Sequence, residues 1–455
     1  MSSSPQPIDP NPFQVGNVRL FVAFRVLFNA RFYYPVFAIL FLDFGLTLEQ
    51  FAILNVLWAV TIVLAEVPSG VLADVLGRRV MVLAAAVLMV LEMSLLLFVP
   101  LGNNLLLFLV FCLNRICSGL AEAAASGADE ALAYDSLKEV GLESQWPTVL
   151  ERLTRYMAMG FFLAMVLGAL VYDPERLQSM AHWVGWEVSL TQEDVLRLPI
   201  LLTFGTSLIA LVCALRMREV GSTDAVEQTG SLLREAIQSV MAAARWTLGH
   251  RFVLFVILGG LLVDSVARQF VIIGTEYYRL IEIPIYLFGW IAAGMSLLGI
   301  LYARLGKHMA TRLSPLRNFL LLSITLLVGL LGIAWVLPVW GVLFVPLVFA
   351  MMTLVGFLQS YYINQHVESR WRATVLSFRG LALNLGLGIN SLLYTGLIAH
   401  LKHRHPATEE EVLHDAVFAE ALAWFPGYFL ILMLIFLLAG RLCIRRLWLC
   451  HQTPK

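Results

Sequence analysis

Charge is what this chain has least of. Asp, Glu, Lys and Arg make up 14% of its 455 residues, about half of what a soluble domain carries. The 31 acids cancel the 31 bases, so there is no basic field of the kind that draws nucleic acid. Cysteine is scarce as well. Cys112, Cys117, Cys213, Cys443 and Cys450 lie in or near apolar runs, without CxxC or zinc-ligand spacing. They read as small buried hydrophobes, and no metal site is expected. Residues 1–17 are polar and proline-rich, without the charged-then-apolar order of a signal peptide, so no cleavage is expected there. No Walker sequence or glycine-rich phosphate loop is visible, which argues against direct ATP coupling. Nor is there a nucleophile motif: the chain reads as a non-enzyme without cofactors.

Long apolar runs are what it has instead. Hydrophobic residues reach 60% and the mean hydropathy is +0.81. A spanning helix needs about 20 mostly apolar residues. Twelve such runs are predicted, near 18–42, 50–73, 80–99, 104–127, 152–172, 197–215, 251–279, 285–303, 317–337, 340–364, 373–399 and 416–440. The fold class is therefore an all-α integral membrane protein, with the lipid bilayer as its solvent. With the N-terminus in the cytoplasm, the opposite side holds only Arg176, Arg197, Arg279, Lys402 and Arg404. Four arginines (Arg25, Arg31, Arg115, Arg268) fall within spans, and every other Lys and Arg falls in a cytoplasmic segment. That bias predicts both termini inside. The longest cytoplasmic connection divides the chain into a tail (1–17), a six-helix bundle (18–215), a linker (216–250), a second six-helix bundle (251–440) and a tail (441–455).

Polar side chains inside spans are costly, so they mark cavities or partners. Arg25, Asn29 and Tyr33 recur every four residues on the first span, which suggests a cavity lining. Arg25 could equally snorkel to the interface. Arg31 falls on another face and could pair with another helix. On the second span, Pro68 is expected to bend the helix or end its regular part, between Glu66 and Asp74. Glu92 sits mid-span with no partner on its own helix. It either carries a proton or pairs with an arginine elsewhere. Arg115, Ser118, Gly119, Glu122, Ser126 and Asp129 share one face of the fourth span. Arg115 and Glu122 are two turns apart, roughly 10 Å of rise, too far to pair. Gly160 and Gly168 offer close-packing notches on the fifth span. On the seventh, Asp264 and Arg268 have the spacing of an intrahelical ion pair. Gln359 and Tyr362 share a face of the tenth span, and Gly380, Asn384 and Gly388 a face of the eleventh. His400, His403, His405 and His414 crowd one outer loop, where irregular spacing favours a solvated loop over a metal site.

The stretch Gly70-Val71-Leu72-Ala73-Asp74-Val75-Leu76-Gly77-Arg78-Arg79 resembles the G-x-L-a-D-r-x-G-r-k loop between the second and third helices of Major Facilitator Superfamily transporters. Val75 is the one clear departure. Ala303 to His308 looks like a degraded copy in the second half. Arg115-x-x-x-Gly119 resembles the basic motif of members that exchange substrate against protons. Residues 126–137 and 370–377 resemble a bacterial branch of the superfamily. A Gly-Pro pair usual in the fifth helix of drug/proton antiporters is absent. The resemblance implies two pseudo-symmetric six-helix bundles and a secondary transporter of the bacterial inner membrane. It also implies an inner gate of Gly70, Asp74, Gly77, Arg78, Arg79 and Asp135, with Arg372 or Arg379 meeting Asp74 across the halves.

Together these readings predict a proton-coupled, monomeric transporter of a small organic molecule, with export favoured by the Arg115 motif. Glu92, Arg115, Glu122 and Asp264 are the proton-coupling candidates. The cavity is expected to include Arg25, Asn29, Tyr33, Arg115, Glu122, Asp264, Arg268, Gln359, Tyr362 and Asn384. Three arginines there suggest a negative or zwitterionic solute. A gradient-independent facilitator, an importer and a non-transporting receptor or assembly partner remain as alternatives.

Overall fold

The computed structural model describes residues 11–102, 104–220, 229–367, 369–404 and 410–444. Among them are twelve helices long and apolar enough to cross a membrane. They are α1 (Gly16–Asp43), α2 (Leu48–Gly70), α3 (Arg78–Phe98), α4 (Leu105–Glu139), α5 (Glu143–Val171), α6 (Gln192–Arg216), α7 (Arg251–Leu280), α8 (Ile285–Arg312), α9 (Pro315–Ala334), α10 (Trp340–Ile363), α11 (Phe378–Arg404) and α12 (Leu413–Leu438). All twelve predicted runs are found. An even number of crossings puts both ends of the described chain on one face, called here the terminal face. The opposite face is the far face.

The bundles repeat each other's packing. In the first, α2 packs on α4, α3 on α6 and α1 on α5. In the second, α8 packs on α10, α9 on α12 and α7 on α11. The bundles meet along two seams, α2 with α11 and α5 with α8. The α5–α8 seam is close because Gly289 lets the backbone of Met165 in: a Cβ there would lie 2.1 Å from the Met165 carbonyl oxygen. Gly168 does the same for Phe32, with a Cβ 1.8 Å from its carbonyl oxygen. Gly160 meets the Val26 side chain, so both expected notches on α5 are used. Gly380 faces open space, whereas Gly388 touches Ala59. A further helix, Thr229–Gly249, lies against α2 and α11 at the terminal face.

Local chemistry sets the helix ends. Thr47 and Gln50 form a reciprocal capping box at the start of α2. Ser314 caps α9, with Pro315 in its first turn. Pro68 does not end the helix: beyond the span α2 it continues to Leu76 and stops at Gly77, whose φ of 100° suits glycine. Exposed Trp183, Trp186, Trp335 and Trp340 collect at the far face, where indole rings suit the membrane–water boundary.

The main departure from the sequence reading is in α1. Its helix ends at Asn29 and resumes at Phe37, with one 3-10 turn over Tyr34–Val36 between. Pro35 lacks an N–H donor and disfavours helix in the residue before it. Two backbone donors near the break are taken by hydroxyls. Phe32 N donates to Thr203 Oγ1 of α6 at 3.0 Å, and Ala38 N to Thr275 Oγ1 of α7 at 2.9 Å. This is the condition under which irregular backbone survives at membrane depth.

Candidate functional site

The break in α1 swings Arg31 inward. Its guanidinium donates to Glu92 Oε1 of α3 at 2.7 Å and to the Tyr33 hydroxyl at 3.0 Å. Its other amino group lies 3.7 Å from Glu122 of α4. Arg31 and Glu92 are almost completely buried, whereas the Glu122 side chain is about one-third exposed. Asn114 Nδ2 donates to the Glu92 carbonyl at 2.8 Å. One arginine thus serves two carboxylates from two other helices. Tyr33 belongs to this knot and not to a stripe with Arg25 and Asn29.

Beside the knot, a cavity of about 400 Å³ lies between the bundles. The first bundle lines it with Asn55, Trp58, Arg115 and Ser118, and the second with Arg268, Thr275, Tyr278 and Phe288. Arg115 is buried, and its guanidinium carbon stands 5.3 Å from the Phe37 ring, 5.6 Å from Trp58 and 5.9 Å from Phe41. These are cation–π distances. Arg115 forms no ion pair among the described residues, and its Nε has no hydrogen-bond acceptor. Across the cavity, Arg268 pairs with Asp264 at 2.7 Å and approaches Asn384 Oδ1 at 3.5 Å. Arg379 of α11 lies within electrostatic range of Asp264. The second bundle therefore sets two arginines around one aspartate.

Several expected cavity residues are elsewhere. Arg25 is held at the terminal face by Asp129 at 3.1 Å and Glu130 at 3.8 Å. Asn29 turns its amide back to the Arg25 carbonyl at 2.8 Å. Gln359 donates to the carbonyls of Val256 and Ile257 at 3.1 and 3.2 Å, in a space that Gly260 leaves open. Tyr362 accepts from Asn318 at 2.6 Å. With Gln359 it lines a small separate pocket between α7, α9 and α10. Arg31 pairs with other helices, as its separate face allowed, and the arginine that Glu92 could meet elsewhere is Arg31. The signal for this was Pro35 close behind Arg31.

At the terminal face Arg78 pairs with Asp135 and donates to the Ala131 carbonyl at 3.1 Å. Glu219 accepts from the backbone N–H of Arg78 at 3.0 Å and of Arg79 at 2.9 Å. A carboxylate thus caps the N-terminus of α3, where helix-end amides and dipole favour an anion. Gly70 has no neighbour within 4 Å of an added Cβ. The side chains of Asp74 and Arg372 lie outside the described residues.

The far face closes across the bundles. Arg279 of α7 binds Asp43 of α1 at 2.5 Å, and the Tyr172 hydroxyl donates to the same Asp43 at 2.7 Å. Lys402 of α11 meets Glu49 of α2 at 2.8 Å. His414 of α12 lies 2.8 Å from Glu276, which reaches Arg279 at 3.7 Å.

This architecture is that of a two-bundle secondary transporter. The Major Facilitator Superfamily model matches residues 20–391, and the chain belongs to that superfamily. Among solved structures it is similar to a mutant of the nucleoside transporter NupG, at 12% identity and a TM-score of 0.68. That match covers 94% of this chain and 99% of the other. A bacterial homologue of the human lysosomal transporter Spinster, solved inward-facing and occupied, gives 14% identity and 0.66, covering 95% and 98%. A D-xylose–proton symporter gives 12% and 0.56, covering 91% and 96%. At such identities the likeness concerns the fold. A search of curated proteins gives no match.

Proposed function

We propose that this transporter moves a small organic anion or zwitterion with an apolar or aromatic body, coupled to protons, by rocking its two bundles around the central cavity. The observation that carries the reading is Arg115: a buried cation among three rings, without a carboxylate partner among the described residues and with an unmet Nε donor. Aromatic faces stabilise such a cation by about 0.5–2 kcal/mol each. They leave its planar fork of donors free for a carboxylate or a similar group. Arg268 offers the second contact from the opposite bundle, so one solute engages both halves.

Coupling follows from competition for guanidinium groups. A solute carboxylate that approaches Arg268 competes with Asp264, and the released aspartate then takes a proton. In the first bundle, Glu122 is the looser and more exposed of the two carboxylates around Arg31, so it is the member that exchanges protons while Glu92 holds the knot. This linkage loads the proton and the solute together, which favours symport; export against proton entry, which the resemblance at Arg115 suggests, is the alternative, and the direction of proton movement tells the two apart. The Lys/Arg bias supports cytoplasmic termini and a bacterial inner membrane, with Asp74 and Arg372 or Arg379 meeting at the inner gate when it closes. Each bundle works as a unit of one monomer, with boundaries near 215 and 251.

The test uses purified protein in proteoliposomes under an imposed pH gradient, with aromatic carboxylates, zwitterions and amphiphilic cations supplied in turn. Proton movement is expected with the anionic or zwitterionic class alone, and to vanish in Arg115→Ala. Flux that ignores collapse of the pH gradient would replace coupling by facilitated passage. Equal flux of cations in wild type and Arg115→Ala would remove the anion reading.

A further inference from the structure

A second cavity lies on the opposite side of α7 from the central one. Arg268 and Phe270 face the central cavity, while Val266 and Gln269 face a separate space of about 230 Å³ between α7, α11 and α12. Aromatic side chains dominate its wall: Tyr394, Trp424, Phe425 and Tyr428. Leu393 and Trp424, both about half exposed, lie at its outer rim. These residues fall near the middle of their spans, so the mouth opens towards the bilayer core rather than water.

Its polar groups include the Gln269 and Asn390 amides and the Tyr394 and Tyr428 hydroxyls, of which Tyr394 Oη is buried without a partner. Gln269 is 2% exposed. The Ser391 hydroxyl donates to its Oε1 at 2.7 Å, which fixes the amide and leaves Nε2 as a buried donor without an acceptor. Asn390, by contrast, is engaged by the Tyr428 hydroxyl at 2.6 Å. A buried unpaired amide in an apolar, lipid-facing wall is costly, and a ligand acceptor relieves that cost.

We infer that this pocket binds a neutral, membrane-soluble carbonyl compound with an aromatic body, whose oxygen accepts from Gln269 Nε2. The size fits, because an apolar cavity of about 150 Å³ takes benzene, and this one has room for a ring with a short substituent. The depth excludes an ordinary phospholipid ester. Ester groups sit near the edge of the roughly 30 Å hydrocarbon layer, whereas Gln269 stands near its centre. A lipid chain alone leaves the donor unmet. The ligand enters laterally and carries no charge, so this site is independent of the anion reading for the central cavity.

The experiment uses the full-length protein in lipid nanodiscs and benzophenone, itself an aryl ketone, as photolabel. Adducts are mapped by peptide mass spectrometry. Saturable labelling is expected within 393–397 and 424–428. Acetophenone is expected to displace it about five- to tenfold better than ethylbenzene, the worth of one net hydrogen bond. Gln269→Leu should abolish that preference, and Leu393→Trp should block labelling with Gln269 intact. Equal displacement by the two competitors in wild type would show a hydrocarbon groove and overturn the proposal. Unsaturable labelling spread over lipid-facing helices would overturn it too, as would adducts confined to the Phe37 and Trp58 cavity. Anion transport measured in parallel separates failure here from failure of the central-site reading.

Discussion

Each bundle carries an arginine–carboxylate pair near the middle of the membrane, and the two pairs are built differently. Arg31–Glu92 joins α1 to α3, with side-chain exposures of 1% and 0%. Arg268–Asp264 lies within one helix, four residues apart, and its arginine side chain is 24% exposed towards the central cavity. The first pair is buried inside the first bundle. The second faces the central cavity, where the proposed solute would meet it. Burial separates a fully enclosed charge pair from one that faces a cavity, even though the fold repeats itself.

The sharpest test of this contrast is stability. Glu92→Gln leaves Arg31 buried beside an uncharged partner, with only the more distant Glu122 to compensate. About 3–5 kcal/mol of destabilisation is expected, read as a large drop in unfolding temperature in detergent. Asp264→Asn should cost much less, because Arg268 reaches the cavity, yet it should abolish proton coupling. Equal losses in the two variants would erase the distinction. Next in size is the α5–α8 seam. Gly289→Ala drives a methyl against the Met165 backbone, at about 1–3 kcal/mol, and should slow transport without changing proton stoichiometry. Mildest is the far face: Asp43→Asn removes the Arg279 contact at a cost of about 0–1 kcal/mol. Cysteine accessibility there should rise as the bundles part more often. Unchanged accessibility would mean that Lys402–Glu49 alone holds that face shut.

Much of this was legible in the chain. Twelve apolar runs, the charge asymmetry and the loop at 70–79 led to the fold. Asp264–Arg268 could be read directly, because both partners lie one turn apart on one helix. Arg31–Glu92–Glu122 could not, because it depends on three helices meeting where one of them breaks. The stripe of Arg25, Asn29 and Tyr33 assumed an unbroken helix, and Pro35 was the available warning. The Gln359 amide nitrogen and the Tyr362 hydroxyl are engaged within one bundle by neighbours that only tertiary packing supplies. Polarity in a span signals a partner, and sequence alone does not say whether that partner is protein or solute.

The Glu219 cap has a consequence for how the chain is made. It serves the N-terminus of α3 from a position 141 residues downstream of Arg78. At about 5–20 residues per second of synthesis, α3 waits on the order of ten to thirty seconds after insertion before that acceptor exists. The terminal end of the first bundle is therefore finished only after its sixth helix has emerged. A nascent chain stalled before residue 219 should present a frayed, protease-sensitive start to α3, and a chain released just beyond it a protected one.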